Sequence, residues 1–418
     1  MRLLALIMFA CVAVSMLVSA VSRRSITGPR PRTHPTSPQM IGVMILFAYL
    51  AIQAVLLTQG EHTVTVPADI VAAETRSILG SVAGVGIAVF AIATIRTKRM
   101  LDLVLVAVLV GISFSVIIGL IQGIFNVDYR GLLVPPGFDS TREIGIVVRN
   151  GFTRVNGTSE HPIEFAVTVA ALLPIALHYF RFGDSRAIRG FAGCVSALLL
   201  LAVPASVSRS AIVTLIVAGI IYLIAQPIRV IVSALSLLVA VVGVYYVVAP
   251  DLFAEIVALF TGASKDVSIT TRTDDYKYVG DMFRERPWLG HGLGSDLPKY
   301  TRFLDNQWLQ LLIVGGVLGV AGLLLFIGGG VIGLTFASRL EVSRGDRDLV
   351  FALAAAFAAI LVSTTVFDLF SFQQAFLLLF LLYGLIWSSV TALSASSGIR
   401  DPGQLDFTSV RGFAAHSR

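Results

Sequence analysis

Arginines and carboxylates gather where apolar runs begin and end, and the chemistry they suggest is the grip of a phosphate and the transfer of a proton. Arg209 stands in Ser206-Val207-Ser208-Arg209-Ser210, a very short turn between two apolar runs. A guanidinium there can snorkel to lipid headgroups; it can equally meet the diphosphate of a lipid carrier held in the same leaflet. Arg154, in Arg154-Val155-Asn156-Gly157-Thr158 before the next apolar run, admits the same two readings. Arg272 belongs to a stretch, Thr270 to Arg286, that reads as a helix. Thr273 can cap it, Asp274 and Asp275 suit its first turn, Tyr276, Val279 and Phe283 form its apolar stripe, and Pro287 ends it. A guanidinium beside a helix start makes a phosphate site, although the same arginine could simply pair with Asp275 on a wet surface.

Proton chemistry has its own candidates. Glu160, His161 and Glu164 follow Arg154, and His161 and Glu164 share a helix face at a spacing of three. They read either as a proton-handling, glycan-facing pair or as a satisfied interfacial cluster. The run Pro287-Trp288-Leu289-Gly290-His291-Gly292-Leu293-Gly294 allows unusual backbone angles and close approach of a ligand, or is only a turn. Asp305-Asn306-Gln307-Trp308 opens a long apolar stretch. Asp305 can be a helix cap, or a base at the membrane edge that takes the proton of a sugar hydroxyl.

The elements that must carry these residues follow from composition. Of 418 residues 56% are hydrophobic and 13% charged, and the mean hydropathy is +0.86. One soluble core cannot absorb that much apolar surface. A bilayer-spanning helix needs roughly 20 mostly apolar residues. That length predicts an all-α, polytopic membrane bundle of about eleven spans: 2–21, 40–58, 78–95, 100–124, 161–180, 190–207, 211–226, 230–249, 308–336, 349–367 and 372–390. The last long one exceeds a simple crossing, and Gly315-Gly316 and Gly328-Gly329-Gly330 allow a break or tilt. Residues 251–260 suit a helix lying at the lipid interface. The organisation expected is a bundle over 1–249 with a loop at 125–160, a helical loop over 250–307 carrying the site, a second bundle part over 308–390, and a disordered tail over 391–418.

Cys11 and Cys194 lie in apolar runs and offer neither a disulfide framework nor a metal cluster. The net charge of +6 comes from basic residues scattered through short loops, which excludes nucleic acid as the partner and marks topology instead. One alternating set of loops holds Arg23, Arg24, Arg30, Arg32, Arg96, Lys98, Arg99, Arg181, Arg186, Arg189, Arg229, Arg339, Arg344, Arg347 and the tail arginines, against far fewer carboxylates. That set is expected in the cytoplasm, with the amino terminus outside and both long loops outside. The first segment could instead be a signal peptide cleaved near Ser19-Ala20; the arginines at 23–32 favour a retained span.

Several pieces, in order, resemble the O-antigen ligase and Wzy-type polymerase superfamily: SRSA at 208–211, TRTDDY at 271–276, RPWLGHGLG at 286–294, DNQWLQLLIVGGVLG at 305–319, and before them RVNGTSEHPIEFA at 154–166. The resemblance implies a GT-C-like bacterial inner-membrane glycosyltransferase that moves a glycan from undecaprenyl diphosphate to a hydroxyl acceptor, without nucleotide sugar, metal or other cofactor. Its partners would be a lipid-linked oligosaccharide donor, a glycan acceptor and membrane lipids, alongside flippase and chain-length regulator proteins. By residue, it implies that Arg209 and Arg272, with Arg154, neutralise the diphosphate, that Asp305 or His291 is the base, and that His161, Glu164 and Asn306 face the glycan. The ligases carry a histidine before the asparagine of the last motif, where this chain has Asp305; the departure favours a polymerase over a ligase. A transporter or flippase of an anionic or lipid-linked substrate is the reading of another class. It fits less well, because the centres of the spans are almost free of charge.

Overall fold

In hydrocarbon a backbone has no water to bond, so each crossing segment must satisfy itself as a helix, and apolar runs of this length leave little choice. The computed structural model describes residues 37–59, 68–134, 145–149, 151–261, 267–297, 299 and 301–396. The expected first span, 2–21, lies outside them. The helices are α1 (Ser37–Leu57), α2 (Ala68–Thr94), α3 (Lys98–Phe125), α4 (Pro162–Phe182), α5 (Arg186–Ala205), α6 (Arg209–Leu223), α7 (Ile228–Val248), α8 (Pro250–Thr261), α9 (Val267–Glu285), α10 (Gln307–Ser338), α11 (Arg344–Ser363) and α12 (Gln373–Ser396). The described sheet is one hairpin, β1 (Val147–Arg149) against β2 (Phe152–Arg154), with Val147 opposite Arg154. Among the described residues eight helices are long and apolar enough to cross a membrane; α6 is shorter, and α11 begins with the charged Arg344, Asp346, Arg347 and Asp348. The chain is an all-α, multi-pass membrane protein, and every expected span within the described residues has its helix.

Short polar residues set the ends. Thr97, Ser185 and Ser343 cap α3, α5 and α11 by accepting from backbone N–H groups inside the first turn. α12 runs to Ser396, so the expected tail begins six residues later than 391; the remainder of that tail lies outside the described residues.

The centre of the bundle is α4 and α12. In each, 83% of the apolar window is buried inside the protein, whereas none of that of α7 is, so α7 lies at the lipid-facing periphery. Tyr49, Phe326, Phe357, Phe380 and Tyr383 form one aromatic cluster, with ring centroids 4.7 Å apart for Phe326 and Phe380. Trp387 is fully buried against two helices with no room for a side chain: a Cβ at Gly42 would stand 2.6 Å from its ring and one at Gly333 3.0 Å. Small residues admit such close approach of membrane helices.

α10 is interrupted where the glycine pair predicts. Gly316 has φ 54 and ψ −144, a conformation that favours glycine, while Gly328–Gly330 stay helical. The run after Pro287 packs along the break and occupies its backbone groups. His291 and Gly292 donate to the carbonyls of Ile313 and Val314 at 2.8 and 2.9 Å, and Val317 and Leu318 donate to those of Pro287 and Trp288 at 2.9 and 3.0 Å. The two glycine motifs are therefore halves of one device that re-satisfies a broken helix inside the protein.

Polar side chains collect at the two ends of the bundle. At the end opposite the long loops, the buried carboxylate of Asp348 in α11 accepts from His178 Nδ1 (2.8 Å) and Arg181 (2.7 Å) of α4, Tyr222 (2.9 Å) of α6 and Gln226 (2.8 Å) beyond it. Beside it Tyr179 donates to Asp102 at 2.7 Å, and Lys98 pairs with the same carboxylate.

Candidate active site

The end bearing both long loops is knitted together by contacts between segments far apart in sequence, and these position the candidate residues. The platform is the strand leaving the hairpin. Gln122 of α3 accepts from the N–H groups of Asn156 (3.0 Å) and Gly157 (3.3 Å), and Ser115 Oγ accepts from the N–H and hydroxyl of Thr158 at 3.1 and 2.9 Å. Arg130 ties the loop from the other side: it pairs with Asp128 at 2.6 Å and donates to the carbonyls of Ser159 and Glu160. Burial works to raise the Asp128 carboxyl, but hydrogen bonds from Arg130 and its charge hold it below the usual carboxylate range.

Arg154 closes β2 and is buried, 8% exposed, with Nε donating to the carbonyl of Ser206 at 3.0 Å. Val155 N donates to Ala205 O beside it at 3.4 Å. Burial, with Arg149 nearby, pushes the Arg154 guanidinium down to about 10, which leaves it cationic at neutral pH. The carbonyl it holds belongs to the turn between α5 and α6. In that turn Val207, fully buried, has φ 49, the left-handed region where glycine usually ends a helix. A β-branched residue there costs about 1–3 kcal/mol. Arg209 follows as the first residue of α6, half-buried. The structure thus joins Arg154 to the turn that presents Arg209.

His161 is the N-cap of α4: its Nδ1 accepts from Ile163 N at 3.2 Å, and its ring packs 5.7 Å from Phe372. Glu164 is fully buried, and its carboxylate caps α12 while tying down the chain just ahead of α4. One oxygen accepts from Glu160 N at 2.9 Å, the other from Gln374 N at 2.6 Å and Ala375 N at 3.3 Å in the first turn of α12. That corrects the expectation of a glycan-facing Glu164, because a carboxylate so enclosed cannot touch a sugar. Gln374 completes the joint by accepting from Ser159 Oγ at 2.6 Å and donating to Thr158.

In the last motif the roles divide residue by residue. Asn306, not Asp305, caps α10: its Oδ1 accepts from Trp308 N and Leu309 N at 2.9 and 3.2 Å, and its Nδ2 donates to Thr365 O at 2.9 Å. Buried Gln307 accepts from Phe370 N at 2.7 Å, and Trp308 Nε1 donates to Thr364 at 2.9 Å. Asp305 is exposed at the mouth of α10. One series of contacts therefore runs from the Arg209 turn through Arg154 and Thr158 to Gln374, and another from the 364–372 turn to Asn306, Gln307 and Trp308, beside Asp305 in the chain.

His291 and Arg272 stand differently from expectation. His291 Nε2 donates to Met282 O at 3.1 Å, so that nitrogen has no lone pair with which to accept a proton, and the residue pins α9 to the sealed break. α9 starts at Val267, which puts Arg272 more than a turn inside the helix instead of beside its start. The expected helix start is corrected accordingly; the Arg272 side chain itself lies outside the described residues. Tyr276 is 61% exposed, and the inward face is Val279 with Tyr278 and Met282, packed on Leu304 and Ile313. Asp275 is buried and forms an ion pair with Arg302, Nε standing 2.7 Å from its carboxylate. Sequence reading missed Gln122, Arg302 and Gln374, whose partners lie tens to hundreds of residues away, and Arg130, which beyond its neighbour Asp128 reaches the carbonyls of Ser159 and Glu160; no local spacing announces these contacts.

Residues 194–326 match the family model described as O-Antigen ligase. Four of the five ordered motifs, SRSA, TRTDDY, RPWLGHGLG and DNQWLQLLIVGGVLG, fall within that stretch, so the resemblance read from them holds there; the Arg154 segment precedes it. No curated protein matches the chain.

Proposed function

We propose that this chain polymerises undecaprenyl-diphosphate-linked oligosaccharide repeat units into a surface or exopolysaccharide by inverting glycosyl transfer. The observation that carries the reading is the ordered motif set inside a matched O-antigen ligase stretch, with Arg209 at the first position of α6 on the end that also holds Asp305. A hydroxyl oxygen of the acceptor attacks the anomeric carbon, and the bond from that carbon to the diphosphate oxygen breaks. Arg209 and Arg272 hold the diphosphate and stabilise the charge it gains. Asp305 takes the hydroxyl proton; its exposure, with Asn306 doing the capping, supports that role over the cap. With Nε2 committed to Met282 O, His291 could act as base only through Nδ1, and the exposed Asp305 is taken as the base instead.

The positive-inside asymmetry of the loops supports an outer, extracytoplasmic face for this site, in a bacterial inner membrane. In cells whose own copy is deleted, Arg209→Ala and Asp305→Asn should shorten the polysaccharide to one or a few repeat units, at normal expression. Wild-type chain length from either variant removes that residue from the mechanism. A second reading, transfer to a lipid or protein acceptor, is favoured by the description of the matched family. Purified protein given only lipid-linked repeat units decides between them, since a polymerase lengthens them and a ligase leaves them unchanged.

A further inference from the structure

Arg154 grips the backbone of the turn that presents Arg209, and we propose that it is a positioning residue which holds that turn in its left-handed form and never touches the donor. The inference rests on the reading of Arg209 as a diphosphate ligand. Four observations lead to it. The Nε of Arg154 is committed to Ser206 O at 3.0 Å, and the side chain is 8% exposed. The next residue, Val155, donates its N–H to Ala205 O at 3.4 Å, so one side-chain and one backbone bond from 154–155 reach 205–206. The strand is itself fixed to α3 through Gln122 and Ser115. Finally, Val207 sits at φ 49 immediately after the gripped carbonyl, although valine resists that region.

A strained residue persists only where its surroundings over-determine it; here Val207 N donates to Pro204 O at 3.0 Å within the turn, and Arg154 is the hold from outside it. Without the grip, Val207 relaxes to negative φ, the peptide between Ser206 and Ser208 rotates, and the first turn of α6 no longer presents Arg209 in one place. Ser208, 4% exposed in the intact turn, becomes accessible at the same time. A residue that accepts left-handed φ removes the need for the grip. Glycine does so freely and asparagine more readily than valine.

The test compares wild type, Arg154→Gln, Val207→Gly and the double variant as full chains in membranes, with two readouts. One is polysaccharide made by host cells lacking their own copy. The other is labelling of Ser208→Cys by a membrane-impermeant maleimide, in a chain whose Cys11 and Cys194 are replaced by serine. Arg154→Gln should lower polysaccharide, and raise the labelling rate, each by at least about tenfold, the factor corresponding to about 1.4 kcal/mol. Adding Val207→Gly should bring both back to within about threefold of wild type. Val207→Asn serves as the second rescuer, because it retains a side chain where glycine leaves a void. Failure of both rescuers to restore either readout overturns the positioning role and returns Arg154 to the substrate. An unchanged labelling rate in Arg154→Gln overturns it directly. If Arg209→Ala makes normal polysaccharide, the functional reading fails, and the labelling cycle still judges the grip by itself.

Discussion

At the scale of single residues, the site end is built by polar side chains that serve backbone groups. Glu164 shows this most clearly, since one buried carboxylate satisfies the opening turn of α12 and the N–H of Glu160 ahead of α4. Glu164→Ala leaves those N–H groups buried without acceptors. It should destabilise the protein by at least about 2 kcal/mol, read as a lowered thermal midpoint in detergent. Glu164→Gln, which keeps one acceptor oxygen, should lose less. Were Glu164 a glycan contact, both variants would keep the wild-type midpoint and lose product alone. From the sequence, His161 and Glu164 were recognisable as a pair on one face, because a spacing of three is a local property of helices. The helix that Glu164 caps begins more than two hundred residues later, and no pattern reports such a meeting. Val207 was illegible for another reason: glycine advertises a left-handed residue, and valine conceals one.

At the scale of elements, hydropathy predicted the spans because length and apolarity are what a bilayer selects. The run at 161–180, which opens with His161, Pro162 and Glu164, proves to be the most enclosed together with α12. Its polar opening is possible because those residues are caps, and its burial explains why it needs less hydrophobicity than a lipid-facing helix such as α7. The break in α10 was legible as a glycine pair, while its partner strand was read only as a glycine-rich turn. Gly316→Ala places a Cβ 2.5 Å from Pro287 O in a left-handed residue, which should cost more than about 2 kcal/mol. Gly328→Ala meets nothing within 4 Å, and as an ordinary helical position it should be neutral or stabilising by up to about 1 kcal/mol. The difference in midpoint between these two variants tests whether the break, and not glycine content, is what the fold requires.

Over the whole molecule, the two polar ends divide labour. Arg181 entered the sequence reading only as a marker of topology, yet with Asp348 it belongs to a buried joint that fixes α4, α6 and α11 to one another. Those three helices carry His161 and Glu164, Arg209, and the Thr364 turn at their other ends. Asp348→Ala strands Arg181 and His178 without their acceptor and should cost about 3 kcal/mol. Because the joint holds the helices in register, glycan product at low temperature should also fall in Asp348→Ala. Asp348→Asn, which keeps one acceptor oxygen, for Arg181 or for Tyr222 but not both, should fall less on both measures. A midpoint unchanged in Asp348→Ala would show that the joint does not support the bundle.

The strap that seals α10 precedes it in the chain, and that order bears on how the protein is made. The segment after Pro287 arrives first, carrying donors at His291 and Gly292 with nothing yet to bond. When Ile313 to Leu318 follow, they find a ready-made edge and need never be exposed to lipid as a gap in a helix. Biogenesis thus has a template for the discontinuity before the discontinuity exists, and the extramembrane loop serves as scaffolding for the span that succeeds it.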